Sequence, residues 1–155
     1  MSDSASSRPR ASAESVLAPL FKNNFNFDIS KITFKFGFTG TGAAITITNT
    51  VTLDQDSWNK LDPEGQRQVL AHEITHSVQY EHLNFARGGI LRGIGLPMAT
   101  MSFLGRYVPT YIVKSYKENY DVPGDLKAIP LSKLDVLDTD YTLDQIAERV
   151  AHEIK

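Results

Sequence analysis

Apolar residues recur along this chain at two spacings, and the change between them marks out the elements. From Ser15 to Lys22, Val16, Leu17, Leu20 and Phe21 fall on one side of a short helix. Ile32, Phe34, Phe36 and Phe38 then alternate with Lys31, Thr33, Lys35 and Gly37, the period of a strand. Gly40-Thr41-Gly42 reads as a turn, and Ala43 to Leu53 as a second extended stretch that Asn49-Thr50 breaks into two strands or a hairpin. Asp56 to Leu61 predicts a short connecting helix or turn, with Trp58 anchoring it. Helical spacing returns from Gly65 to Tyr80, opened by Asp62-Pro63-Glu64, a cap, a first-turn proline and an acid suited to the helix dipole. Val69, His72, Glu73, His76 and Tyr80 share its spacing, so an amphipathic helix is expected. The chain is then expected to turn over Glu81 to Gly89. Met98 to Gly105 and Thr110 to Tyr120 read as helical, and Val122-Pro123-Gly124 as the stop. Asp125 to Asp140 reads as loop. Thr142 to Ile154 is an amphipathic helix with Ile146, Val150 and Ile154 as its core stripe. The order α, β, β, α, α, α predicts an α+β domain, a small β-sheet packed on the Gly65–Tyr80 helix with further C-terminal helices.

Composition narrows the function. The 155 residues suffice for one domain with a real core, and 41% hydrophobic with 22% charged residues is ordinary for a globular chain. A net charge of −2 gives no electrostatic case for nucleic acid or a membrane surface. The absence of cysteine excludes disulfides, cysteine catalysis and thiolate metal sites. Residues 1–14 are rich in Ser, Ala and Arg and lack the apolar core of a secretory signal. They are expected to form a disordered arm, leaving 15–155 as a single domain. Gly88 to Gly105 is fairly apolar, but its uncharged part is too short to span a bilayer, so no stable membrane insertion is expected.

The densest chemistry is His72-Glu73-Ile74-Thr75-His76, an HExxH pattern. Histidines at i and i+4 lie on one face of a helix, so both imidazoles can reach one metal ion. Glu73 sits one residue round, where it can flank the metal without ligating it and act as general base towards a metal-bound water. The expected cofactor is Zn2+. The plainer alternative is a solvated face with two unrelated histidines.

With Asp62-Pro63-Glu64-Gly65-Gln66 before it, the run Leu70-Ala71-His72-Glu73-Ile74-Thr75-His76-Ser77-Val78-Gln79 is similar to a known motif. It resembles the metallopeptidase core domain associated with extracellular contractile injection systems, within the zincin-type metallopeptidases. The match covers about Ala43 to Tyr80. The resemblance implies a zincin-like fold, a bacterial zinc peptidase acting on a peptide or protein, and a sheet edge that binds substrate by strand addition. It implies an effector or toxin with a contractile injection particle as partner, and the lack of a secretory signal predicts synthesis in the cytoplasm with that particle as exporter. The rival reading is a catalytically silent zincin-fold module with a structural, cargo or interaction role.

A catalytic zinc usually takes three protein ligands, so the two histidines need a third. Asp121, after the aromatic run Tyr116 to Tyr120, is the first expectation, with Glu118 its local competitor. Asp144 in Leu143-Asp144-Gln145-Ile146-Ala147-Glu148 echoes a gluzincin ligand helix with the acids exchanged. A capping box of Thr142 and Gln145 would explain Asp144 as a dipole-complementing first-turn acid instead. His82 has the metzincin spacing, but Gln79 stands where that motif needs glycine, and in a continuing helix His82 points away. Tyr116 or Tyr120 could stabilise an oxyanion, though such tyrosines usually edge a core. His152, four residues after Glu148, reads as structural.

Overall fold

The computed structural model describes residues 7–39, 43–86 and 121–154. Helices α1 (Ser7–Glu14) and α2 (Leu17–Phe25) lead through a 3-10 turn (Ile29–Lys31) into β1 (Thr33–Phe36). Strands β2 (Ala44–Ile47) and β3 (Thr50–Leu53) follow, then α3 (Gln55–Asn59) and the long α4 (Pro63–Ala86). After residue 120 come α5 (Gly124–Lys127), a 3-10 turn (Leu131–Lys133) and α6 (Leu143–Ala151). The expected helices over 98–105 and 110–120 lie outside the described residues, as do Tyr116, Glu118 and Tyr120.

The three strands form one mixed sheet in the order β1-β3-β2. β1 runs parallel to β3, with Phe34 opposite Val51, and β2 runs antiparallel to β3, with Thr46 opposite Val51. The predicted alternation holds through Ile32 and Phe34, which are buried, and ends at Phe38, which is 90% exposed beyond the strand. β2 and β3 join through Thr48 and Asn49. Thr48 has φ 53°, a left-handed conformation that a β-branched residue adopts at a cost. The Ser77 hydroxyl donates to the Thr48 carbonyl at 2.8 Å, and the Thr46 hydroxyl to the Glu73 carbonyl at 3.0 Å. These two bonds fasten the hairpin to α4.

Helix α4 is the central element. Asp62 caps it, accepting from the Gly65 amide at 2.7 Å. It packs chiefly on α6, then on β2 and α1. The expected amphipathic character is not what the structure has: every residue from Leu70 to Tyr80 is buried. A helix covered on all sides has no solvent face, so its polar positions are interior positions. The expected turn over Glu81 to Gly89 also begins later, because α4 runs on to Ala86.

Two further expectations differ. Within the expected arm, Ser7–Glu14 is helix α1, with Ala13 fully buried. Arg10 donates to the Ile32 carbonyl, and its guanidinium lies over the Phe34 ring 5.5 Å from the centroid. The composition suggests a solvated arm, but the arginine packs through its stem and ring contact. Gly124, expected to close a helix, instead opens α5, and Leu126, Leu134 and Val136 bury the following stretch. The capping box at Thr142 and Gln145 is present, and Ile146, Val150 and Ile154 are buried as the stripe predicted. No helix among the described residues is long and apolar enough to cross a membrane.

Thr48→Asn should relieve the backbone strain, because asparagine tolerates the left-handed region, and keep both ties to α4. Its expected gain is about 1 kcal/mol in chemical denaturation. An unchanged midpoint would show that the hairpin does not hold Thr48 under strain.

Candidate metal centre

His72 and His76 are 6% and 1% exposed, and their Nε2 atoms lie 3.2 Å apart. One carboxylate oxygen approaches both: Asp144 Oδ1 is 3.2 Å from His72 Nε2 and 3.1 Å from His76 Nε2. Asp144 is 1% exposed, in the first turn of α6. Packing of α6 on α4 through Ile146 and Val150 brings this acid onto the histidine face. Asp121, by contrast, lies in exposed, non-helical backbone, so the acid that reaches the histidines is Asp144. His82 is exposed because α4 continues past it.

The three atoms test well as a metal-binding set. Donors at about 2.0–2.1 Å from a tetrahedral zinc sit about 3.3 Å from one another. The observed edges of 3.1, 3.2 and 3.2 Å nearly match that triangle. Glu73 also offers an oxygen within 4.8 Å of the histidine nitrogens. Asp144 Oδ1 stands within 3.2 Å of both nitrogens, and Glu73, one residue round from His72, stands beside them. Glu73 is 4% exposed, and its Oε2 is buried with no hydrogen-bond partner among the described residues. A buried carboxylate oxygen left in that state needs a water, an ion or a substrate group.

The far nitrogens of both imidazoles are held as well. His72 Nδ1 donates to Glu148 Oε2 at 2.9 Å, and His76 Nδ1 to Gln79 Oε1 at 2.7 Å. Such outer partners fix the ring and point the other nitrogen inward. Sequence reasoning did not single out Glu148 or Gln79 for these tasks. The signal was their spacing: Glu148 is one turn after Asp144, and Gln79 one turn after His76. His152 is half-exposed and lies 3.6 Å from the other oxygen of Glu148. Trp58 is buried where expected, against Phe36, and its carbonyl accepts from Gln66 at 3.1 Å.

The electrostatics follow from crowding. Burial lowers the pKa of His72, but the Asp144 and Glu148 hydrogen bonds and the Glu73 charge outweigh it and raise it to about 10. For Asp144 burial pushes upward, yet the two imidazoles hold its carboxyl well below the usual range. Glu73 is raised, chiefly by burial, with the histidines opposing. In the metal-free chain, a proton on His72 balances these acids, a task a divalent cation can take over. A cavity of about 200 Å3 opens beside the cluster, walled by His72, Glu73 and Glu148 with Ala44, Leu61 and Val69.

Residues 38–84 match the eCIS core domain, a domain of extracellular contractile injection systems. The match takes in the sheet from β2 onward and most of α4, and stops short of Asp144 and Glu148. No curated protein and no solved structure matches the chain.

The His72 shift has a consequence for the metal-free chain. A histidine raised from 6.5 to about 10 on folding contributes stability that is complete below pH 6.5 and lost as pH climbs towards 10. Thermal unfolding of chelator-treated protein should therefore fall across that window, and His72→Gln should flatten the fall. A profile in which both proteins decline alike would remove the imidazolium pairing.

Proposed function

We propose that this chain, whose residues 38–84 match the eCIS core domain, is a zinc-dependent metallopeptidase. In this reading the ion is held by His72, His76 and Asp144. The observation that carries the reading is the triangle of His72 Nε2, His76 Nε2 and Asp144 Oδ1 beside the unpartnered Glu73 oxygen and its cavity. Asp144 takes the third position that the sequence first suggested for Asp121.

When bound, zinc supplies Lewis acidity, acidifying water and polarising a scissile carbonyl. The protein's own residues do the rest. Glu73 takes a proton from the attacking water through its unpartnered oxygen and hands it to the leaving amine. Glu148 and Gln79 hold the imidazoles in one orientation while charge develops. Asp144 and Glu148, on successive turns of α6, keep the negative charge of the site fixed. β2 is one of the two edge strands of the described sheet and borders the cavity through Ala44. Its outer backbone groups suit an extended peptide laid alongside as a further strand. The family match supports an effector or toxin carried by a contractile injection particle.

Elemental analysis comes first. About one zinc per chain is expected in the wild type, lost in His76→Ala and Asp144→Ala and retained in Asp121→Ala. Loss in Asp121→Ala with retention in Asp144→Ala would hand the third position back to Asp121. Digestion of a mixed peptide library then tests turnover. Glu73→Gln should keep zinc and lose at least about 100-fold in cleavage rate. It should also be no less stable than wild type when metal-free, because it removes a carboxylate that burial disfavours. Zinc bound with no cleavage by wild type would favour the silent structural or cargo module.

A further inference from the structure

Gln79 is fully buried and makes three hydrogen bonds that leave its amide one orientation. Its Nε2 lies 2.9 Å from the Val136 carbonyl and 3.2 Å from the Leu143 carbonyl. Carbonyl oxygens only accept, so both N–H bonds must face them. Oε1 is therefore turned to His76 Nδ1 at 2.7 Å and can only accept there. His76 Nδ1 must then carry a ring proton, so the lone pair that a metal ion needs can come only from Nε2. That is the nitrogen beside Asp144 Oδ1.

The same amide reaches across to the other ligand-bearing element. Val136 and Leu143 flank the stretch that leads into α6, and Leu143 is the residue before Asp144. One side chain thus sets the tautomer of a histidine and anchors the start of the helix that delivers the acid. We infer that Gln79 is a positioning residue of the metal centre, coupling the metal-facing nitrogen of His76 to the placement of Asp144. The inference rests on the zinc reading above for its consequence, though its geometry stands without the ion.

Gln79→Met keeps the length and apolar bulk of the side chain and removes the amide. Its apparent zinc affinity, measured by competition with a chromophoric chelator, should fall about 10- to 100-fold. Gln79→Glu should fall less, because it still accepts from His76 while losing the donors to the two carbonyls. Phe21→Leu, in the core on α2 and outside the polar cluster, is the control for general loosening: it should melt earlier with zinc affinity unchanged. A second readout needs no metal. Long-range 1H–15N spectra of the metal-free wild type should show a His76 Nδ1 proton sheltered from exchange, absent in Gln79→Met. An affinity within about twofold of wild type in Gln79→Met, or an equal fall in Phe21→Leu, overturns the inference. Should the wild type bind no zinc, the metal reading fails by itself, and the proton alone decides: its persistence in Gln79→Met overturns the role of Gln79.

Discussion

The constraint on which the rest depends is the burial of a polar helix. From Leu70 to Tyr80, α4 has no solvent face, yet the segment carries His72, Glu73, Thr75, His76, Ser77 and Gln79. Buried polar groups left without partners cost about 1–3 kcal/mol each. The surrounding elements answer these demands. Thr75 turns its hydroxyl back to the Ala71 carbonyl at 2.7 Å. Ser77 reaches the hairpin, Gln79 the approach to α6, and the histidines reach α6 itself. The fold around α4 is largely the set of partners this helix requires. Glu73 Oε2 is a buried carboxylate oxygen of the segment whose demand the described residues leave unmet. An atom so isolated fits chemistry better than architecture.

How much of this was legible in the sequence depends on the range of each signal. The sheet alternation, the Asp62 cap, the Thr142–Gln145 capping box and the pairing of His72 with His76 are written within a few residues, and each appears where the pattern puts it. Signals that need docking were harder to read. The contact of His76 with Asp144 spans 68 positions and is created by α6 lying on α4, so no local spacing announces it. The all-round burial of α4 was hidden for the same reason. Its polar residues imitate a solvent face, and only the neighbours show otherwise. Helix α1 was missed because Arg10 counts as a solvated charge in composition, whereas its guanidinium packs on Phe34.

The two carboxylates of α6 divide the work that one cannot do. Asp144 faces both Nε2 atoms from a buried first turn, while Glu148 lies outward, 27% exposed, and holds the other face of His72. A single acid could not contact both nitrogens of the same ring. An i, i+4 pair on a helix lying across α4 can, because its members are stacked one turn apart. This explains why an acidic pair on α6 meets a histidine pair on α4, each at the same spacing.

The placement of Asp144 also dissolves an apparent alternative. As a first-turn acid after a capping box it has a sufficient structural explanation, and that explanation competes with ligation only if the residue can do one thing. The backbone N–H groups at the start of α6 carry partial positive charge, which favours an anion there. Burial works the other way and would tend to protonate the acid. A buried aspartate that must stay ionised to meet a cation is therefore best placed where a helix begins. The same site also gives it two imidazoles that hold it ionised when no metal is bound. The capping box and the contact with the imidazoles are thus one arrangement: Thr142 satisfies the Gln145 amide of the first turn, and the helix end so formed helps to stabilise the charge of Asp144.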